Sequence, residues 1–252
     1  MSFEVSHPIG LISIVRFDEL EFFFAVEQRD LSRLVDIHVV EHQNRNRDDF
    51  TSFNRVRKIR GDEKWLKDSL QCKVKIVPCE NYRREMPYSL SVKPSPNLPN
   101  DQSINLYASL CFFEGTNVSI GRGTNKQFQI YGSPYLTTNH YSFTPMPNEG
   151  AKDPPLNGKV CCGVDLSEIT KVNKLELKWL IKAYNETEER SKFFNSYFTK
   201  LAGTKKLQLQ IEGGMNEEEI RATWKAGLEK FKEMRKKYLI YPDSFLVATS
   251  SN

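Results

Sequence analysis

The chain has 252 residues, with 39% apolar, 12% aromatic and 27% charged side chains and a mean hydropathy of −0.53, enough to bury the core of one large domain or two small ones. The 36 Lys and Arg nearly cancel the 32 Asp and Glu, leaving +4 at pH 7; a charge so small argues against a dedicated nucleic-acid or membrane-surface binder, because phosphate contacts need concentrated positive charge. The longest near-apolar run, residues 20–26, carries Glu21 and is far shorter than the roughly 20 residues that span a bilayer.

Composition breaks sharply near residue 61. Residues 1–61 hold eight Arg and one Lys, whereas residues 62–252 hold six Arg and 21 Lys, and every Tyr, Trp and Cys lies in the second segment. The start, Met1 to Val5, lacks the basic segment, apolar stretch and small-residue cleavage site of a standard export signal. Residues 18–40 fit a helix, and residues 41–58 are polar with little to bury. Residues 1–60 are therefore expected to form an unrelated or frame-shifted leader, disordered or loosely docked.

Further along, local signals agree with one another. Residues 62–70 predict a short helix carrying Trp65, Leu66 and Leu70, and residues 71–78 alternate, with Cys72, Val74 and Ile76 on one face and Lys73 and Lys75 on the other, as in a half-buried strand. Four prolines in residues 86–99 fix an extended, ordered loop. Residues 101–113 are apolar enough to be buried. After a second Pro, Gly and Asn stretch at 142–158, residues 159–166 predict another strand.

Leu177, Leu180, Ile181 and Tyr184 recur at i, i+3, i+4 and i+7 in an expected helix over 175–190. Asn216 and Glu219 have the spacing of a capping box before a last helix over 216–237, whose apolar face is Ile220, Trp224, Leu228 and Phe231. Its Lys-rich face is interrupted by Glu229 and Glu233, which marks it as solvated. The expected fold is α/β, with a small mixed sheet from the strands at 71–78 and 159–166 and the helices at 175–190 and 216–237 flanking it.

The five Cys (Cys72, Cys79, Cys111, Cys161 and Cys162) and four His lack zinc-site spacing, so no metal centre is expected and the thiols read as small buried hydrophobes. No cofactor fingerprint is present either. Gly121 and Gly123 are not followed by Lys-Ser/Thr as in a phosphate loop, and the third glycine of a dinucleotide fingerprint is missing.

The chemistry concentrates between Phe113 and Thr124. Phe113-Glu114-Gly115-Thr116-Asn117-Val118-Ser119-Ile120-Gly121-Arg122-Gly123-Thr124 combines one acid, one Arg, an Asn, three hydroxyls and three glycines. Glycines let backbone approach a ligand, and the polar side chains suit a polyhydroxyl or carboxylate group. Two readings stand side by side: Glu114 and Arg122 pair to pin a loop, or the segment is a polar ligand wall. Tyr107, Tyr131, Tyr135 and Tyr141 are candidates for stacking on a sugar ring or for core packing, and His140 is expected at the surface.

The motifs Pro94-Ser95-Pro96-Asn97-Leu98-Pro99, Phe113 to Ser119, Gly121-Arg122-Gly123-Thr124 and Gly132-Ser133-Pro134-Tyr135 resemble the signature of the bacterial exo-β-N-acetylmuramidases, glycoside hydrolases long catalogued as a domain of unknown function. The resemblance extends more weakly to Tyr238-Leu239-Ile240-Tyr241-Pro242. It implies a C-terminal α/β domain over residues 61–242, with a tail at 243–252. It also implies a peptidoglycan-derived saccharide as partner, acted on by release of terminal N-acetylmuramic acid.

The family's Rossmann-like N-terminal domain, with its Glu-His-Gly motif, has no counterpart in this sequence. The resemblance thus implies a truncated enzyme, or a non-catalytic binding module. It casts Glu114 as a supporting carboxylate and Arg122 as a clamp for the lactyl carboxylate. Asn97, Asn117, Ser119 and Thr124 become hydrogen-bonding partners of the ring. Relatives act outside the cytoplasm, whereas this start lacks an export signal.

Overall fold

The computed structural model describes residues 88–138 and 140–239 together with positions 62, 81 and 241. The expected leader at 1–60, the strand at 71–78, the tail at 243–252 and all but Asp62 of the helix at 62–70 lie outside the described residues.

Helix α1 spans Asp101–Leu110. Asn100 opens it with a capping box: its Oδ1 accepts from Ser103 N at 2.9 Å, and Ser103 Oγ accepts from Asn100 N at 3.3 Å. Two of the amide groups orphaned at a helix start are thereby satisfied. Leu106 and Leu110 point into the core, and the chain continues directly into a 3₁₀ turn, Cys111–Gly115, which buries Phe112 and Phe113. The apolar run at 101–113 thus becomes two tandem helical pieces.

Strands β1 (Ile130–Ser133), β2 (Tyr141–Phe143) and β3 (Cys161–Asp165) form a sheet of order β1-β3-β2. Both pairings are antiparallel, with Ile130 opposite Asp165 and Tyr141 opposite Gly163. The expected mixed character rested on residues 71–78. At the centre, Gly132 faces Gly163; a Cβ on Gly163 would stand 1.9 Å from Tyr131 O, so only glycine permits this approach of the strands.

Four helices follow the sheet: α2 (Lys178–Asn185), α3 (Phe198–Ala202), α4 (Lys206–Glu212) and α5 (Glu217–Arg235). Helix α2 is shorter than the expected 175–190. Before it, Leu175 and Leu177 are buried, and Glu176 N donates to Ser109 Oγ at 2.9 Å, which ties this stretch to α1. After it, Thr187 donates its hydroxyl to Ala183 O and bridges to Leu136, which turns the chain away; Arg190 falls in a separate turn, Arg190–Lys192.

Helix α5 has the expected cap, since Asn216 Oδ1 accepts from Glu219 N at 3.0 Å and Glu219 Oε2 accepts from Asn216 N at 2.8 Å. Its basic face carries solvated pairs such as Lys232–Glu229 and Lys236–Glu233.

The core joins α1, the 3₁₀ turn and β1 to α2, α3 and α4 through Leu110, Phe113, Tyr131, Leu180, Phe198 and Ile211. Phe113 stacks on Tyr131 with ring centroids 4.9 Å apart. Burial pushes the thiols of Cys111 and Cys161 up to about 12, leaving both protonated and unreactive at neutral pH. No helix among the described residues is long and apolar enough to cross a membrane.

Two glycines test this packing in opposite directions. Gly163→Ala must force β1 and β3 apart and is expected to cost about 3 kcal/mol, seen as a lower urea midpoint. A Cβ on exposed Gly227 of α5 meets nothing within 4 Å, so Gly227→Ala is expected to raise stability by about 0.5–1 kcal/mol.

Candidate functional site

The segment after the 3₁₀ turn is held on both sides by backbone bonds. On one side Asn117 N donates to Phe193 O and Asn195 N donates to Gly115 O, both at 2.9 Å. On the other side Ser119 and Gly132 exchange two bonds of 2.8 and 2.9 Å. The next residues form a tight loop in which Gly121 and Gly123 take φ of 77° and 78°. Side chains are excluded there for space as well, because a Cβ would meet Lys126 O at 2.6 Å from Gly121 and Met146 O at 2.6 Å from Gly123.

Arg122, between these glycines, points back to Glu114: its Nη2 donates to Glu114 Oε1. The expected pairing of acid and guanidinium is therefore present. The pair is not sealed, since the side chains remain 33% and 25% exposed. The guanidinium carbon also lies 5.5 Å from the centroid of the Phe128 ring, a cation–π contact that fixes its plane. Arg122 Nε is buried and has no hydrogen-bond partner among the described residues.

The other expected site residues divide into two groups. Asn97 Nδ2 donates to Gly150 O at 2.7 Å and Asn148 Nδ2 donates to Thr124 O at 3.1 Å, which draws the Pro-rich loop and residues 145–158 against the Arg122 loop. The Oδ1 atoms of Asn97 and Asn117 are buried without a partner. Unspent acceptors of this kind are what a ligand donor or an ordered water satisfies. The hydroxyls of Ser119 and Thr124 are already engaged. Ser119 Oγ accepts from Gly121 N at 3.3 Å, and Thr124 Oγ1 donates to Gly121 O at 2.7 Å. These two shape the loop from within.

The aromatic candidates also separate. Tyr131 is core, with its hydroxyl pushed up by burial first and by the Glu186 charge second. Tyr107 packs on Phe128 at 4.9 Å, and Tyr135 is 42% exposed. Tyr141 lies under Lys126 Nζ, 5.5 Å from its ring centroid. His140 is exposed, as expected.

One charged cluster had no motif to announce it. Lys126 Nζ donates to Asp165 Oδ2 at 2.5 Å and to Ser167 Oγ at 3.0 Å, locking the end of β3 to the loop that carries Arg122. Its partners lie about forty residues apart in sequence, where spacing carries no signal. The bond to Asp165 raises the Lys126 ammonium above its usual range. Burial pushes the Asp165 carboxyl up, but the bonds from Lys126 and Ser167 outweigh it and the net direction is down.

The pH dependence follows from those signs. The Asp165 contribution is full above the unfolded carboxylate value of about 3.9 and is lost as pH falls below it; the Lys126 contribution is lost as pH rises above about 10.4. Both side chains are about a third exposed or less, so solvent weakens the pair. A Lys126→Met/Asp165→Asn double-mutant cycle is expected to give a coupling of about 1 kcal/mol at pH 7 that declines as the carboxylate is protonated in acid.

Residues 105–241 match the family described as exo-beta-N-acetylmuramidase NamZ, C-terminal. The chain is 31% identical over 196 residues to the peptidoglycan beta-N-acetylmuramidase NamZ of Bacillus subtilis (strain 168), covering 69% of this chain and 47% of that protein. It is 43% identical to a DUF1343 family protein of Bacteroides fragilis with a crystal structure, at a TM-score of 0.71, covering 76% of this chain and 55% of the other. A second Bacteroides fragilis DUF1343 protein, 16% identical at a TM-score of 0.56 over 75% of this chain and 56% of its own, shares the fold. The chain spans about half the length of these relatives. On the match over residues 105–241, the chain belongs to the family of exo-β-N-acetylmuramidase NamZ C-terminal domains.

Proposed function

We propose that the Glu114–Arg122 loop reads the terminal N-acetylmuramic acid of a peptidoglycan-derived saccharide. The observation that carries this reading is the partly exposed guanidinium, its side chain 33% exposed, held in place by Glu114 and Phe128. Muramic acid differs from other amino sugars by a lactyl carboxylate, and a planar guanidinium suits a carboxylate through two parallel bonds. Asn97 and Asn117 contribute acceptors for an acetamido N–H or ring hydroxyls, while Ser119 and Thr124 hold the loop in shape. The Bacillus subtilis relative, a peptidoglycan beta-N-acetylmuramidase by name, supports the substrate class.

Glycoside hydrolysis ordinarily employs two carboxylates flanking the scissile bond. Glu114 is one carboxylate, and it is bonded to Arg122. Its proposed role is therefore to orient the guanidinium, which favours binding over turnover in this polypeptide.

Calorimetric titration with a β-glycoside of N-acetylmuramic acid tests the clamp. Arg122→Lys keeps the charge and loses the fork, and is expected to weaken binding about tenfold, roughly 1.4 kcal/mol. Affinity unchanged by that substitution rules the clamp out. Glu114→Gln is expected to weaken binding several-fold by releasing the guanidinium. In a chromogenic assay the unmodified chain is expected to bind without liberating muramic acid; release abolished by Glu114→Gln would instead give Glu114 a direct part in the reaction.

A further inference from the structure

Among the described residues, three that are not glycine take a positive φ: Asn81, Phe128 and Leu156. Phe128 is the buried one of the three, 1% exposed at a φ of 53°. In that conformation Cβ crowds the following carbonyl oxygen, so it is ordinarily left to Gly and, less often, to Asn or Asp. A bulky aromatic residue persists there where its surroundings over-determine it, and such strain gathers at ligand clamps and active sites.

The surroundings are specific. Phe128 N donates to Ile120 O at 2.8 Å, which closes the loop that contains Arg122. The next residue is fastened to the sheet, since Leu166 N donates to Gln129 O at 2.8 Å just after β3. Tyr107 packs against the Phe128 ring with centroids 4.9 Å apart, and the Arg122 guanidinium carbon lies over the same ring at 5.5 Å. A backbone that resists this conformation is thus tied at both ends, and the ring it carries meets the one cation of the proposed saccharide wall.

Burial alone does not call for a ring at this position. Leu would fill apolar space, but it has no electron-rich face for a cation. A carboxylate or amide would brace the guanidinium by accepting its N–H groups, and Glu114 already accepts from Nη2. A second polar brace would compete with a ligand carboxylate for the same edge, whereas a ring braces the group and takes none of its N–H donors.

We propose that Phe128 is a positioning residue of the carboxylate-reading site: its left-handed backbone presents the ring face to Arg122 and sets the plane in which the guanidinium meets an anionic saccharide. This rests on the reading of Arg122 as the lactyl clamp and extends it, because the aromatic character of a buried side chain becomes a determinant of affinity.

Replacing Phe128 with pentafluorophenylalanine tests the role, since fluorination keeps the ring apolar and close in shape while reversing the charge on its face. In calorimetric titration of the full chain with a β-glycoside of N-acetylmuramic acid, the fluorinated protein is expected to bind about two- to fivefold more weakly. A second readout needs no saccharide. The Arg122 Nε–H resonance, identified by its loss in Arg122→Lys, is expected to move downfield in Phe128→Leu as the ring-current shift disappears. Equal affinity in the fluorinated and unmodified chains, or an Arg122 resonance that stays in place in Phe128→Leu, overturns the assignment. If the unmodified chain does not bind the glycoside, the lactyl clamp itself fails, and the resonance alone decides whether Phe128 positions Arg122. If Phe128→Leu does not fold, the resonance is read in the fluorinated chain, where loss of the attraction is expected to move it too.

Discussion

The backbone contact between Gly115 and Phe198 sets the geometry on which the rest depends. A Cβ on Gly115 would stand 2.5 Å from Phe198 Cα, so the end of the 3₁₀ turn lies directly on the first residue of α3. Around that contact Phe193, Phe194 and Phe198 interlock, with ring centroids 4.8 and 4.4 Å apart. Thr116 bridges to Phe194, and Asn195 N reaches Gly115 O. Phe113, Phe193 and Phe198 are fully buried, each contributing about 2–3 kcal/mol from apolar area. Glu114 lies within this clamp, so its backbone cannot shift without opening the aromatic cluster.

The Arg122 side of the pair is fixed by different means. Gly121 and Gly123 reverse the chain in the left-handed region, and neighbours at 2.6 Å exclude side chains at both. Gly123 O accepts from Met146 N, and Thr124 O accepts from Asn148 Nδ2. The guanidinium is carried by a loop tied at its base and braced over Phe128. A preorganised donor of this kind loses little freedom when a ligand arrives. The carboxylate stands on a packed turn and the guanidinium on a strapped loop, so their pairing follows from both scaffolds.

How much of this was legible depended on whether a signal was local. The Asn216 and Glu219 box is a spacing of three residues, and α5 starts where that spacing places it. The strand at Cys161–Asp165 falls within the expected 159–166, and the glycine-spaced acid and guanidinium do meet. Strands β1 and β2 were not found: Ile130–Ser133 is buried at all four positions, so no alternation shows, and Tyr141–Phe143 has three residues. The five-residue α3 and seven-residue α4 are too short for a helical period to stand out. Hydroxyl availability is also invisible in sequence. Ser119 and Thr124 read as donors for a ligand, yet Thr124 donates its proton to Gly121 O, and Ser119, whose Oγ accepts from Gly121 N, is 1% exposed.

The 3₁₀ turn has two working faces. Phe112 borders an apolar recess together with Leu175, Leu207 and Trp224, and two residues later Glu114 holds Arg122. The same short turn therefore borders a mainly apolar recess and a polar wall. Between them stands the close approach of Gly115 to Phe198, which leaves no room even for a Cβ. Moving Phe112 far enough to disturb Glu114 would require that contact to open, and close-packed interiors resist such changes. The fold thus places two chemically opposite surfaces a few residues apart and insulates one from the other.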